Sequence, residues 1–418
     1  MKKTMTFLLL WLSLLTYSQE TLNAMFYNLF KFPTSLPHNR ELILQEILDE
    51  YQPDLFMVCE LVSENGADLI LNTALQNQTD TFARAEFVPD LSKPEDPLQT
   101  MVFYNQRKLS LLQQRTLPTV YRDINQYSFQ LNVVGEEPIY LEVFVAHLKS
   151  STGTANQQMR LQMVQAVTEA LEELTQPNTF VLFSGDFNFY RATEPGYQQI
   201  LSLDNAIRML DPLDAPGSWH DNAAFSYLHT QSTRVSNAGF GGGANAGASG
   251  GLDDRFDFIM MSENFQTSDQ LTYVEGTYKA YGNNGDCLDK DVKDPTCTGE
   301  FSLSLREKLY NMSDHLPVVM QFQVNDNFVL GIEEMEKRQL MWFESSNVSD
   351  REVKIGIDIH QLPSGDNTLY IYNRLGQLMT TIEINQRSSV LIRTDAYPSG
   401  TYIIKSKSSA QVLKFIKK

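Results

Sequence analysis

Hydrophobic and polar positions change period repeatedly along this chain. Across residues 21–28, Leu22, Ala24 and Phe26 alternate with Asn23, Met25 and Tyr27, the period of two that predicts a strand. Ile43, Leu44, Ile47, Leu48 and Tyr51 recur at helical spacing, and Pro53 stops the helix they predict. Residues 55–59 are a short apolar run ending at Glu60, read as a buried strand. Residues 101–104, 127–134 and 139–146 predict further strands. Leu161, Val164, Val167, Leu171 and Leu174 mark one face of a long helix. Residues 180–184, 255–261 and 318–324 complete the strands of this part. Strands outnumber helices and several connections are short, so an α+β class is expected, sheet packed on sheet with helices outside.

Two stretches break the pattern. Residues 239–251 are mostly Gly, Ala, Asn and Ser, which predicts a flexible loop beside Arg255, with a lid role left open. Residues 326–351 are polar and irregular and read as a linker. Beyond them, short β-rich runs at 353–359, 369–373, 377–384, 389–394 and 401–405, punctuated by Gly376 and Pro398-Ser399-Gly400, predict a small all-β sandwich over 352–418.

The first 18 residues look like an export signal. Lys2 and Lys3 precede an apolar run over 7–15 that is too short to span a bilayer, and Thr16 and Ser18 are small residues at the two positions a signal peptidase reads. A secreted or cell-surface location is expected, with a mature chain starting near Gln19 and no transmembrane segment. Cys287 and Cys297 bracket a short polar segment that a disulfide could staple in an oxidising compartment, with two free thiols as the alternative. Cys59, in an apolar run, reads as a small buried residue.

Charge narrows the partners. Of the net −18 in 418 residues, residues 19–325 hold 19 Lys and Arg against 40 Asp and Glu, a net of −21. Such a field repels polyanions at long range and offers no basic stripe along the sequence, but it suits divalent cations. The part from residue 326 onward carries 12 against 11, a net of +1.

Polar residues cluster at the ends of the expected strands: Asn28, Glu60, His147, then Gly185-Asp186-Phe187-Asn188, Asp257, and Ser313-Asp314-His315. Any one of these alone reads as a turn former, a helix cap, a satisfied core histidine or a salt bridge of Arg255 with Asp257. Gathered at one end of a sheet, they can face one cavity.

The ordered set resembles the endonuclease/exonuclease/phosphatase superfamily, the deoxyribonuclease-like fold, over residues 21–324. The matching segments are MFYNLF, PDLFMVCELV, FVAHLKS, FSGDFN, RFDFIMMS and SDHLPVVM. The resemblance implies a four-layer α/β/β/α sandwich over 19–325, two packed mixed sheets with outer helices. It implies a metal site of Asn28, Glu60 and Asp314, and catalytic roles for His147, Asp186, Asn188, Asp257 and His315. Cys59 stands where the family commonly has Gln, and PLQTMVFYN lacks the Glu that in some relatives pairs with the equivalent of His147. The tail, with LYIYNRLGQLM, DAYPSGTYII and terminal KFIKK, is similar to the C-terminal sorting domain of the type IX secretion route, which implies outer-membrane secretion machinery as a partner. An adhesive or carbohydrate-binding sandwich is the other reading of that tail.

Chemistry then fixes expected roles. Mg²⁺ or Mn²⁺ suits oxygen ligands, Ca²⁺ is allowed as a structural ion, and no second His or Cys lies at zinc spacing. His315 backed by Asp257 would take a proton from water, Asp186 would orient that water, and Asn188 and His147 would hold phosphoryl oxygens. The expected protein is a secreted, monomeric, metal-dependent phosphoesterase, an endonuclease on DNA or RNA. The alternatives are a sphingomyelinase-like or small-molecule phosphodiesterase or phosphatase, and a surface binding module without catalysis.

Overall fold

In the computed structural model, the described residues are 20–75, 81–96, 98–135, 137–174, 179–241, 246–328, 341–344, 347–357, 368–374, 376–384, 388–406 and 412–418. The expected export segment lies outside them.

The larger unit runs β1 (Glu20–Phe32), α1 (Arg40–Tyr51), β2 (Leu55–Leu61), α2 (Glu64–Leu69), β3 (Phe82–Arg84), β4 (Gln99–Asn105), β5 (Leu109–Leu117), β6 (Ile124–Leu131), β7 (Tyr140–His147), α3 (Thr154–Glu172), β8 (Phe180–Asp186), α4 (Pro195–Ile200), β9 (Met209–Leu210), β10 (Asp257–Ser262), α5 (Asn264–Thr267), β11 (Leu271–Tyr273), β12 (Lys279–Ala280), α6 (Leu303–Met312) and β13 (Val318–Val324). One sheet is ordered β11-β13-β1-β2-β4-β3, with β12 also on β13; the other is β5-β6-β7-β8-β10-β9. Both are mixed, because β1 pairs parallel with β2 and β7 pairs parallel with β8.

Alternation along the strands builds the layers. Leu22, Ala24 and Phe26 of β1, Leu55 and Met57 of β2, Val143 and Val145 of β7, Leu182 of β8 and Ile259 of β10 fill one core between the sheets. The opposite faces meet helices. Met25, Tyr27 and Leu29 pack with Leu44 and Ile47 of α1 and Leu305 and Leu309 of α6, while Phe144, Val181 and Phe258 pack with Met163, Val164 and Val167 of α3. Two sheets with helices outside each make the four layers expected.

Several boundaries differ from the sequence reading. The β10 strand starts at Asp257, because Arg255 leaves the ladder to form a buried two-point ion pair with Asp211 at 2.8 and 2.9 Å. Phe328 is buried in the inter-sheet core, so this unit runs past residue 325. Strand β5 and helix α6 are not in the sequence reading; β5 (LSLLQQRTL) lacks clean alternation. Cys59 is buried, and Cys287 is bridged to Cys297 with Cα atoms 5.3 Å apart.

The C-terminal unit is a sandwich of three and five strands: β14 (Met341–Phe343), β15 (Val348–Ser349), β16 (Glu352–Ile357), β17 (Thr368–Asn373), β18 (Leu378–Glu383), β19 (Ser389–Arg393), β20 (Gly400–Ser406) and β21 (Val412–Lys417). Val353, Ile355 and Ile392 of one sheet share a core with Leu369, Ile371, Ile404 and Phe415 of the other. The strands β14 and β15 fall inside the stretch read as linker. Met341 is buried against the sandwich core, which makes those residues part of the domain despite their polar surroundings.

Candidate active site

The site continues the inter-sheet core into polar residues. Asn28 follows Leu22, Ala24 and Phe26 on the same face of β1. His147 follows Val143 and Val145 on β7, Asp186 follows Leu182 on β8, and Asp257 precedes Ile259 on β10. Period-two geometry therefore aims all four into the space between the sheets, at one open end. Register puts three of them on a single rung: His147 is opposite Asp186, and Asp186 is opposite Asp257. Glu60 has the wrong parity for this face. A register shift in β2 and a left-handed backbone at Glu60 (φ 57°) break the alternation there. Gly185 is required by the close approach of β7; a Cβ there would lie 2.3 Å from the Ala146 carbonyl oxygen.

The side chains converge. His315 and Asp257 share a hydrogen bond of 2.7 Å between Nδ1 and Oδ2. The other ring nitrogen, Nε2, lies 3.7 Å from Asp186 Oδ2 and 3.4 Å from Asn28 Nδ2. Asn28 Nδ2 donates to Glu60 Oε1 at 3.1 Å and to Asp186 Oδ2 at 3.0 Å. His147 Nε2 stands 3.5 Å from Asp186 and 4.0 Å from Glu60. Every member is buried.

Electrostatics follow from that burial. Desolvation pushes the Glu60 carboxyl up, helped by Asp314 and opposed by His315 and Asn28. Desolvation likewise raises Asp186, with His315 opposing and Asp257 adding to the rise. For His315, burial alone would disfavour the imidazolium, but Asp257 and Asp186 outweigh it and hold the ring well above its usual value. His147 goes the other way: burial, then Arg122, His315, Lys93 and Lys149, hold it well below the usual value, and its Nδ1 has no partner. No carboxylate from β4 reaches that nitrogen, as the lack of a Glu in PLQTMVFYN implies.

Asn28 and Asp314 also make contacts with the surrounding backbone. The Asn28 amide oxygen accepts from the Phe30 backbone N–H at 3.0 Å, so its NH₂ faces the carboxylates. The Asp314 carboxylate accepts from the Ala248 N–H at 2.6 Å and offsets the buried charges of Arg234 and Arg40. Among the described residues two groups of carboxylate and imidazole donors lie together here, Glu60 with His147 and Asp186, and Asp186 with Asp257 and His315. These donors fit a divalent cation chemically, because buried carboxylates with raised affinity for protons gain from an opposite charge. The Asn188 amide donates to Asp186 Oδ1 at 2.8 Å and to the Leu148 carbonyl at 3.4 Å, so it braces Asp186.

The glycine-rich stretch is better anchored than its composition predicts. Besides Ala248 on Asp314, the Gly247 carbonyl accepts from Asn237, the Ala248 carbonyl from Ser232, and Gly251 N–H bonds the Arg234 carbonyl. Residues 242–245 lie outside the described set.

Sequence reading also missed a cationic group beside the site. Arg122 is buried, pairs with Asp96 at 2.8 Å, and leaves its Nε and one Nη without partners. Lys93, Arg122 and Lys149 all lie over the Tyr121 ring, at 4.0, 4.8 and 5.0 Å from its centroid. All three positive charges act on His147. They come from three separate segments, so no basic run marks them.

The chain matches no family model and no curated protein. Among solved structures it is similar to the human Nocturnin catalytic domain with bound sulfate anion (15% identity over 73% of this chain and 94% of that one, TM-score 0.46). It is also similar to D. rerio TDP2 complexed with single strand DNA product (16%, 73% and 100%, TM-score 0.45) and to an endonuclease/exonuclease/phosphatase family protein from Bacteroides thetaiotaomicron (14%, 73% and 98%, TM-score 0.43). The functional reading therefore rests on the residues themselves.

Proposed function

We propose that this chain is a metal-assisted phosphoesterase that hydrolyses phosphodiester bonds of a polyanion, with nucleic acid as the substrate class. The observation that carries the reading is the buried Asp257–His315 pair facing Asp186, Glu60 and His147 across the open end of the two sheets. The six sequence motifs that resemble the endonuclease/exonuclease/phosphatase superfamily supply these same residues.

In the neutral His315 ring Asp257 keeps the proton on Nδ1 and leaves Nε2 to accept a proton from water, and the carboxylates that favour the imidazolium draw that proton across. Asp186, held by Asn188 and Asn28, lies close enough to Nε2 to orient that water. As the water oxygen bonds to phosphorus, the bond to the leaving oxygen breaks, and that oxygen takes a proton from solvent. Asp257 stabilises the imidazolium that results. His147, neutral in its site, is placed to hydrogen-bond a phosphoryl oxygen. A divalent cation held by Glu60 and Asp186 would polarise a phosphoryl oxygen and offset charge on the leaving oxygen. The Lys93–Arg122–Lys149 group favours an anionic chain over a zwitterionic head group, because it supplies local positive charge within a domain of net −21.

Export belongs to the same reading. Its support is the N-terminal segment, the similarity of the tail to a secretion sorting domain, and a disulfide that suits an oxidising compartment.

The test is a substrate panel of plasmid DNA, RNA, sphingomyelin and a small phosphomonoester, each with Mg²⁺ or Mn²⁺ and again with EDTA. Nucleic-acid cleavage that EDTA abolishes is expected. Turnover confined to sphingomyelin or the monoester would overturn the substrate class. Activity that survives EDTA would remove the metal, and inertness on the whole panel would sink the phosphoesterase reading.

A further inference from the structure

Gln231 lies in none of the sequence motifs, yet its side-chain amide is the nearest group to the presumed base nitrogen. Its Nε2 stands 2.5 Å from His315 Nε2, nearer than Asn28 at 3.4 Å or Asp186 at 3.7 Å. The other ring nitrogen is taken by Asp257, so Gln231 touches the atom that must receive the proton of the attacking water.

The backbone around Gln231 is fixed while its side chain is not. Its N–H donates to the Asp254 carbonyl at 3.1 Å, and its own carbonyl accepts from Asp253 and Asp254 at 2.9 Å each. On either side, Thr230 accepts from Leu316 N–H at 2.7 Å, and Thr233 donates to the Asp314 carbonyl at 3.0 Å. This ties the segment to the Asp314-His315 strand end from both directions. The Gln231 side chain is half-buried, and among the described residues its amide bonds nothing but His315. The other polar groups near Nε2 are committed: both ends of the Asn28 amide are used, and Asp186 is held through one oxygen by Asn188 and through the other by Asn28.

We propose that Gln231 is a further catalytic residue, which yields the His315 nitrogen to the attacking water and then holds that water through its amide oxygen. A water at Nε2 needs one hydrogen on the ring nitrogen, a second hydrogen on a fixed acceptor, and a lone pair left for phosphorus. Asp186 Oδ2 lies 3.7 Å from Nε2, and the Gln231 amide, once rotated to present its oxygen, offers the second acceptor for that hydrogen. An amide suits the place because it carries no charge against an incoming phosphate, and it can present either its NH₂ or its oxygen after rotation.

The inference rests on the phosphoesterase reading, and the experiment separates the two. The full mature chain, its Gln231→Ala and Gln231→Asn variants and a His315→Ala variant are assayed on bis(p-nitrophenyl) phosphate and on plasmid DNA, with thermal unfolding measured alongside. Gln231→Ala should lower kcat about tenfold to a hundredfold with KM changed less than about twofold, since a water misplaced by about an ångström costs that much. Gln231→Asn carries the same amide one methylene short and should not restore kcat; a packing role would be largely restored by it and would show as lowered thermal stability instead. In histidine side-chain NMR, the His315 Nε2 resonance should move in Gln231→Ala while the hydrogen-bonded Nδ1 proton persists. A Gln231→Ala kcat within about twofold of the unsubstituted chain, where His315→Ala has lost turnover, overturns the inference and leaves the phosphoesterase reading standing. A loss that falls on KM alone also overturns it, by making Gln231 a binding residue. If the unsubstituted chain hydrolyses neither probe, the phosphoesterase reading fails and takes the inference with it.

Discussion

A buried imidazole has two ring nitrogens, and the partner of one decides what the other can do. In His315 the partner of Nδ1 is Asp257 at 2.7 Å, and Nε2 faces Gln231, Asn28 and Asp186. His315→Ala should lower kcat by about 10²–10⁴-fold, the range for general-base catalysis, without lowering the thermal midpoint. Asp257→Asn should cost a similar factor, because an amide can present its NH₂ to Nδ1 and so favour the other tautomer. Steady-state hydrolysis at fixed metal concentration checks both, and activity near the unsubstituted level in either removes the assigned base. On the proposed reading Arg122 serves recognition of the anionic substrate. Arg122→Gln should raise KM for an oligonucleotide about tenfold while changing KM for bis(p-nitrophenyl) phosphate little; equal effects on both would take Arg122 out of polyanion recognition. Asn28, Glu60, His147, Asp186, Asp257 and His315 were legible in the sequence because each sits in a short local motif at a strand end. Gln231, Lys93 and Arg122 were not, because each lies in an irregular segment and gains its meaning from a partner far along the chain.

At the scale of elements, the parallel contact between β7 and β8 sets the spacing of His147 and Asp186. Gly185 permits that contact, and a methyl group there would meet the Ala146 carbonyl oxygen. Gly185→Ala should cost about 1–3 kcal/mol of stability, the range for overpacking. It should reduce turnover further than the fraction unfolded explains, because the strands that carry the site must part. Comparison of melting curves with kcat measured well below the transition tests this. The loop after β9 is tied to the start of β10 by Asp211 and Arg255. Burial alone would raise the Asp211 carboxyl, but Arg255 outweighs it and holds it below the usual carboxylate value. A depressed folded-state value stabilises the fold above the unfolded value of about 3.9, and that contribution is lost as pH falls through the folded one. Asp211→Asn should therefore cost about 3–5 kcal/mol near neutral pH, by leaving Arg255 buried without its counter-charge. The gap in thermal midpoint between the variant and the unsubstituted chain should narrow below about pH 4; a gap independent of pH would mean the ion pair is not its source.

At the scale of the whole molecule, the larger unit and the C-terminal sandwich each bury a core of their own. Phe328 closes the first core, and Met341 opens the second. A chain ending after Phe328 should keep kcat and KM within about twofold of the full chain, since among the described residues none beyond Phe328 contacts the site. Loss of turnover in a truncated chain that still melts cooperatively would show that the C-terminal part acts on catalysis. The charge distribution works at the same scale. The domain is acidic overall, and Lys93, Arg122 and Lys149 gather positive charge around Tyr121, with Asp96 paired to the first two.

Local pattern by itself determined the alternating strands, the α1 and α3 helices, the sheet-on-sheet class and the C-terminal β-rich domain, because strand and helix periods are written in a few consecutive side chains. It also marked where polar residues end the strands. Only the tertiary structure decided what those residues do to one another. Burial set the directions of the Glu60, Asp186 and His147 shifts. The inter-strand rung brought His147, Asp186 and Asp257 side by side. The Ala248 amide bonded the Asp314 carboxylate, and the fold carried Gln231 to His315 Nε2. Distances between residues a hundred or more positions apart, and the desolvation that comes with them, exist only once the sheets have packed.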